Sequence, residues 1–390
     1  MKDLKKGKFL LIAVVMMSSI LVGVFGSQSF FLAQNPTRVQ AAGTQTSSKP
    51  APHTLDPSSV LGINSSSGTS LPGIPWVRLS YTTCGNSNLK GSVLRNTIAN
   101  YHRQAVRVLL TICQQSSGPS LFDTKPLNDA AHGGADAVQC GNEEMKNSPE
   151  TRYITPQNFA RYFDLCQGTM HKVNPGIPVI LGSLDPHVGW VDITQLNAQV
   201  NYLNAMQNAM NTQVHPRGKW SWRSQILGLI DSWHNGYPNR YFNSLLGLFT
   251  FWAGQLHIQL NSGQLGKHLW VIEGTGCFKG CGINANSKYQ MAVAHILTLI
   301  TDVQTTMRYR VPFFYFTSKD FWLGGTLWPM GILTINGKPK PLRQDLPMGA
   351  RTLVMTCGKR SVRVADQEQL LAKMYQGCAL PSNYYSILTR

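Results

Sequence analysis

From Val60 onward the chain alternates short apolar runs with longer segments whose apolar residues recur at helical spacing. That alternation is the pattern of repeated βα units. Strands are predicted over Val60–Asn64, Trp76–Tyr81, Ala105–Cys113, Ala135–Gly141, Pro178–Leu184, Ile226–Trp233, His268–Glu273 and Pro312–Thr317. Between them, helices are predicted over Leu89–Gln104, from the Thr155-Pro156 cap pair to about His171, and over Leu196–Met210, Ser244–Leu260 and Lys288–Met307. The last carries Met291, Ala294, Leu297 and Ile300 on one face, as a helix laid on a sheet requires. Eight strands alternating with helices over roughly 280 residues has the size and rhythm of a single (β/α)8 barrel of the α/β class, a TIM barrel. A Ser/Gly-rich stretch joins the first two strands, so either the first helix is missing or the first strand is misplaced.

The segments outside that rhythm define the rest of the organisation. Met1–Gly26 has a head containing Lys2, Lys5, Lys6 and Lys8 followed by an apolar run from Phe9, the layout of an export signal. At about 18 apolar residues the run also approaches the length of a membrane anchor. Val39, Gln40 and Ala41 supply a cleavage site after residue 41. Residues 1–41 are therefore a signal peptide or N-terminal anchor, 42–58 a Thr/Ser/Pro-rich flexible spacer, 59–345 the barrel, and 346–390 a basic extension with a helix at Gln367–Tyr375. The protein is expected outside the cell, or on the outer face of the membrane if the signal stays. Membrane contact would then come through that segment alone.

Composition sharpens this picture. The 390 residues carry 35 Lys+Arg against 18 Asp+Glu, a formal charge of +17, with 43% hydrophobic and only 14% charged residues. A large core can form, and disorder is excluded as the bulk of the chain. Without residues 1–41, which hold five basic residues and one acidic, 30 basic residues face 17 acidic ones and +13 remains. Eight cysteines, an even number, suit an oxidising compartment. Neighbours in sequence are the simplest pairings, Cys277 with Cys281 and Cys357 with Cys378. Zinc is the weaker reading, since one C-x-x-x-C lacks a matching second pair.

In a (β/α)8 barrel, chemistry sits where strands end. Glutamate is scarce: Glu143, Glu144, Glu150, Glu273 and Glu368 are all there are. Two of these positions close apolar strands, Asn142-Glu143 after the fourth and Glu273 after the seventh, with Glu144 the register rival of Glu143. Paired carboxylates across a barrel mouth can act as acid/base and nucleophile on a glycosidic bond, the retaining geometry placing them ~5 to 5.5 Å apart.

On these residues the chain resembles the clan A glycoside hydrolases, (β/α)8 enzymes with Asn-Glu after strand four and Glu after strand seven. The resemblance covers about residues 59–345. It implies Glu143 as acid/base, Glu273 as nucleophile, Asn142 at the sugar 2-hydroxyl and Arg78 beside the nucleophile. It also matches Asp231–Pro238, implying His234 and Tyr237 as sugar-site residues with Trp233 nearby, and Trp322 or Trp328 as an aromatic floor. Gly331-Ile332-Leu333 through Gly337-Lys338-Pro339-Lys340-Pro341 resembles the stretch that closes such barrels.

Other chemistries lack their motifs. No G-x-x-x-x-G-K-[ST] loop, H-E-x-x-H helix or G-x-S-x-G elbow occurs, so no cofactor and no metal is expected. The expected partner is a carbohydrate, and the surplus positive charge suits an acidic one; no nucleic acid is expected. Two other functions fit the same sequence: a carbohydrate-binding barrel without activity, and an exported basic protein that holds an anionic polymer by charge.

Overall fold

Eight parallel strands close into a barrel in chain order: β1 (Leu61–Asn64), β2 (Trp76–Ser80), β3 (Arg107–Ile112), β4 (Ala137–Cys140), β5 (Val179–Leu181), β6 (Ile226–Asp231), β7 (Leu269–Gly274) and β8 (Phe313–Tyr315), with β8 pairing back onto β1. The computed structural model describes residues 60–65, 73–85, 87–114, 123–146, 153–184, 193–231, 245–274, 288–323, 325–346, 353–364 and 367–381. The first predicted strand is therefore in place, paired to both neighbours. No helix stands between β1 and β2 among the described residues.

Helices follow the later strands: α1 (Gly91–Arg103), α2 (Thr124–Ala131), α3 (Pro156–Val173), α4 (Ile193–Ala209), α5 (Leu245–Leu256) and α6 (Lys288–Tyr309). The Thr155 hydroxyl caps α3 by accepting from the Asn158 N–H, with Pro156 in the first turn, so the start signal in the sequence acts as one. Helix α2 was not anticipated. It has only eight residues, capped by the Asp123 carboxylate on the Lys125 N–H, and buries Leu127 and Ala130.

Two apolar regions hold the barrel. One lies between strands and helices and includes Val77, Leu110, Val138, Phe163, Phe249 and Val271. The other fills the interior with Trp76, Leu109, Ala137, Ile180, Trp270, Ile272 and Phe314. The two sets alternate along each strand, as the period of two demands. Trp76 meets Trp270 edge-on at 5.5 Å between centroids, and Phe314 lies 6.2 Å from each. A side chain on Gly62 would run into the Phe314 ring, so a glycine is needed there for the plug to form. Two residues further along the same strands the interior becomes polar, as Gly62, Trp76, Leu109 and Ala137 give way to Asn64, Arg78, Thr111 and Gln139. All four of these polar residues are buried. The apolar plug thus forms a dry base beneath a polar layer at the C-terminal mouth.

Beyond β8 the chain forms the hairpin β9 (Phe321–Leu323) and β10 (Thr326–Trp328), a short helix α7 (Leu342–Asp345), the hairpin β11 (Leu353–Cys357) and β12 (Arg360–Val364), and α8 (Gln367–Tyr375). In the Gly-Lys-Pro-Lys-Pro stretch, Lys340 turns inward and donates to Asp320 at 2.6 Å and to the Pro329 carbonyl at 2.9 Å, while the Gly331 N–H donates to the same Asp320 oxygen at 2.8 Å. Burial pushes the Asp320 carboxyl up and the Lys340 ammonium down, and their mutual contact opposes both shifts. Disulfides join Cys84 to Cys113, Cys140 to Cys166 and Cys357 to Cys378. Cys277 and Cys281 lie outside the described residues, as do residues 1–59 with the signal or anchor and the spacer. No helix among the described residues is long and apolar enough to cross a membrane.

Candidate active site at the barrel mouth

Arg78 is the hub of the polar layer. It is 4% exposed, and its guanidinium donates to Asn64 Oδ1 at 2.6 Å, Glu273 Oε1 at 2.7 Å, Asn142 Oδ1 at 2.8 Å and Gln139 Oε1 at 3.0 Å. One buried cation therefore ties β1, β2, β4, the turn after β4, and β7. Asn64 is held in turn by donating to the carbonyls of Ile272, Phe314 and Tyr315 at 3.1 to 3.4 Å. Gln139 accepts from Thr111 Oγ1 at 3.0 Å and donates to the Gly141 carbonyl at 2.8 Å. A planar donor fork locked by amide oxygens is rigid, which is what holding a carboxylate at one angle requires.

Glu273 reaches this hub through an irregularity in β7. Ile272 lies in the interior, so strict alternation would turn the next residue towards the helices. Instead β7 carries one extra residue against each neighbour. Leu229 pairs with Val271 but Ile230 with Glu273, and Val271 pairs with Phe313 but Gly274 with Tyr315. A bulge of this kind re-aims a side chain. Glu273 ends 8% exposed against Arg78.

After β4 the chain turns sharply. Gly141 has φ +96°, and a side chain on it would collide with the Glu144 carboxylate and the Phe159 ring. Asn142 is clamped by Gln114, which accepts from its N–H at 2.8 Å and donates to its carbonyl at 2.9 Å. Its side-chain oxygen accepts from Arg78, from Gln139 at 3.2 Å and from Ser183 Oγ at 3.1 Å. All three are donors, which assigns the amide orientation and leaves Nδ2 without an acceptor among the described residues. Glu143 has φ +49°, its N–H donates to Ser183 Oγ at 3.0 Å, and Lys146 Nζ lies 3.0 and 3.1 Å from its two carboxylate oxygens.

Glu144 has a different place. It is fully buried between the Gly141 and Gly182 turns and accepts from the Ser183 N–H at 3.1 Å. Burial pushes the Tyr162 and Tyr202 hydroxyls up, and the negative charge of Glu144 adds to it. Of the two adjacent acids, Glu143 is thus the one beside the hub residue Asn142, and Glu144 belongs to the packing behind it.

The aromatic candidates separate. On the β9–β10 hairpin Trp322 pairs across with Leu327 and Trp328 with Phe321, which puts the two indoles on opposite faces. Trp322 is 61% exposed. Trp328 is half-buried on the face of Phe321, whose ring meets that of Phe316, next after β8, at 5.6 Å. Trp233, His234 and Tyr237 lie outside the described residues. Asn64, Thr111, Gln114, Gln139, Lys146 and Ser183 were not picked out beforehand. The period-two extension of β1, β3 and β4 could have found the first, second and fourth; Gln114, Lys146 and Ser183 sit on loops whose sequence gives no sign. Among the described residues, no group of three or more His, Cys, Asp or Glu side chains could hold a metal.

No family model and no curated protein matches the sequence. Solved structures similar to the chain include a GH5_18 protein from Streptomyces cattleya in complex with GlcNAc, at 13% identity and TM-score 0.44 over 72% of this chain and 71% of that one. An exo-beta-1,4-mannosidase from Opitutaceae bacterium strain TAV5 aligns at 12% identity and TM-score 0.45, over 75% and 59% of the two chains. A glucosidase from Croceicoccus marinus aligns at 12% identity and TM-score 0.46, over 75% and 64%. Likenesses this distant carry no argument about chemistry; the fold rests on the closed parallel barrel itself, and what the site does must be argued from Arg78, Asn142, Glu143 and Glu273.

Proposed function

We propose that the chain is an exported glycoside hydrolase that cleaves O-glycosidic bonds of a polysaccharide or oligosaccharide with retention of configuration. The observation that carries this reading is the single guanidinium of Arg78, which holds Glu273 with one nitrogen and Asn142, the residue before Glu143, with another. It orients Glu273 and sets opposite charge against it while registering the acid/base segment beside it. In the first step Glu273 attacks the anomeric carbon as Glu143 gives its proton to the leaving oxygen. In the second, Glu143 takes a proton from water, whose oxygen displaces Glu273 and releases the sugar. The Asn142 amide donor, which has no acceptor among the described residues, would in this reading donate to a sugar hydroxyl. The three disulfides among the described residues fit an oxidising compartment, and the chemistry needs no cofactor.

The test is turnover on a glycan panel by the full chain, Glu143→Gln and Glu273→Gln, with the anomer of the first product read by proton NMR. Each substitution should lower kcat by about 10²-fold or more, and the product should keep the configuration of the substrate. Unchanged activity in both variants, or an inverted product, would sink the mechanism. One observation favours a carbohydrate-binding barrel without turnover: Lys146 sits on both oxygens of Glu143, a contact that favours the carboxylate form over the acid. Binding of glycans without cleavage by any member of the panel would establish that reading.

A further inference from the structure

Lys146 stands on the turn after β4 with its side chain only 13% exposed. Among the described residues its ammonium contacts Glu143 alone. Arg78, buried in the polar layer of the mouth, is consumed by Asn64, Gln139, Asn142 and Glu273. Of the described acids here, Glu273 is held by Arg78 and Glu144 is buried on the Ser183 N–H. Glu143 is therefore the counter-charge of Lys146.

The catalytic cycle requires Glu143 to begin with a proton on it. Protonation takes away the partner of an ammonium that is largely screened from water, and an unpaired buried charge is costly. The two events are coupled: a negative group brought to Nζ favours the proton on Glu143, and the proton favours the negative group by the same factor. A neutral sugar cannot supply that charge, whereas a sugar bearing a carboxylate or sulfate can. The long, flexible lysine stem allows the ammonium to turn from one acceptor to the other, and the surplus of 35 basic over 18 acidic residues favours the approach of a polyanion.

We propose that Lys146 is a specificity residue that binds an anionic substituent of the glycan, and that its transfer from Glu143 to that group lets Glu143 take a proton from solvent and serve as the acid. The catalytic consequence rests on the glycosidase reading; the anion binding does not.

The test is calorimetric titration of the full chain, Glu143→Gln, Lys146→Met and the double variant with sodium D-glucuronate, D-glucose 6-sulfate and D-glucose. Circular dichroism would confirm that each protein is folded. In Glu143→Gln the ammonium has lost its counter-charge, so an anion should bind about tenfold or more tightly than to the parent chain. Glucose should show no such gain, and Lys146→Met should abolish it in either background. The carboxylate and sulfate arms identify which group is read. Equal affinity in the parent chain and Glu143→Gln, or a gain that survives Lys146→Met, overturns the proposal. Paired neutral and uronate-containing oligosaccharides then test turnover: the parent chain should favour the acidic one, and Lys146→Met should reverse the preference. Cleavage without the anion gain removes the anion site and leaves the glycosidase. The anion gain without cleavage of any glycan does the opposite.

Discussion

Arg78→Met is the most informative perturbation of this protein because its cost can be worked out contact by contact. The substitution keeps the apolar stem and deletes a guanidinium that is 4% exposed. Glu273, 2.7 Å away and 8% exposed, loses its cation, and breaking a buried pair by removing one partner costs about 3 to 5 kcal/mol. The neutral acceptors fare unequally. Gln139 Oε1 keeps Thr111, and Asn142 Oδ1 keeps Gln139 and Ser183. Asn64 Oδ1 loses its donor among the described residues, worth about 1 to 2 kcal/mol more. The total of about 4 to 7 kcal/mol is a large share of the 5 to 15 kcal/mol by which ordinary domains are stable.

Most of that loss belongs to the stranded carboxylate, so a second substitution should return it. Glu273→Gln placed on Arg78→Met removes the buried charge, and the double variant should be more stable than Arg78→Met alone by about 2 kcal/mol or more. Urea unfolding followed by tryptophan fluorescence, completed as a double-mutant cycle, measures both terms. Arg78→Lys should fall between parent and Arg78→Met, since a point charge cannot serve four acceptors at once. A loss below about 1 kcal/mol for Arg78→Met, or additivity of the two substitutions within about 0.5 kcal/mol, would refute the assignment of Arg78 as the counter-charge of Glu273.

Other parts of the molecule give independent expectations. Lys340→Met strands Asp320 and should cost about 3 to 5 kcal/mol at pH 7, whereas the same change with Asp320→Asn should cost far less. The pH dependence has a definite sign: the Asp320 carboxyl is raised in the folded state, so the folded protein binds that proton more tightly than the unfolded chain. Lys340→Met removes the contact that opposes the shift, and its deficit in urea midpoint should therefore shrink as pH falls from 7 towards 4; a deficit that grows would refute the argument. Gly141→Ala forces a side chain at φ +96° against Glu144 and Phe159, and a loss of about 2 to 4 kcal/mol in the same assay is expected. Replacing both Cys140 and Cys166 by Ala opens a bridge of sequence separation 26 between β4 and α3, and by loop entropy should cost about 3.5 kcal/mol. Thermal melts of the parent chain with and without reductant check its direction.

How much of this was legible beforehand depends on the range of the interaction that decides each feature. Strand number and order follow from apolar runs, which are local, and the Asn142-Glu143 and Glu273 strand ends were read from the same runs. Helix α2 escaped because eight residues bearing Leu127 and Ala130 make too short a period to stand out; the Asp123 cap was its sole marker. The Cys84–Cys113 bridge joins segments that the parallel pairing of β2 with β3 brings together, and Cys140–Cys166 ties α3 to the strand β4 that precedes it. Both join cysteines that are neighbours in sequence, as Cys357–Cys378 does, yet eight cysteines allow many pairings and the sequence reading assigns neither of these two. Gln114 and Ser183 are brought to Asn142 by the ends of β3 and β5.

Glu273 shows the limit most clearly, because local reasoning assigns it the wrong face. Trp270 and Ile272 point inward and Val271 outward, so a regular strand would deliver the next carboxylate to the apolar layer under the helices. An acid there would face Leu, Val and Phe side chains with no cation and would have to be neutral or unfold the layer. The extra residue in β7 removes that conflict, but a bulge is favourable only if the re-aimed group finds a partner. Arg78 is that partner, and it lies 195 residues away in sequence. The bulge and the arginine are thus one device, each intelligible only through the other, and the same contact that lets the barrel close around an acid fixes the place and orientation of that acid at its mouth.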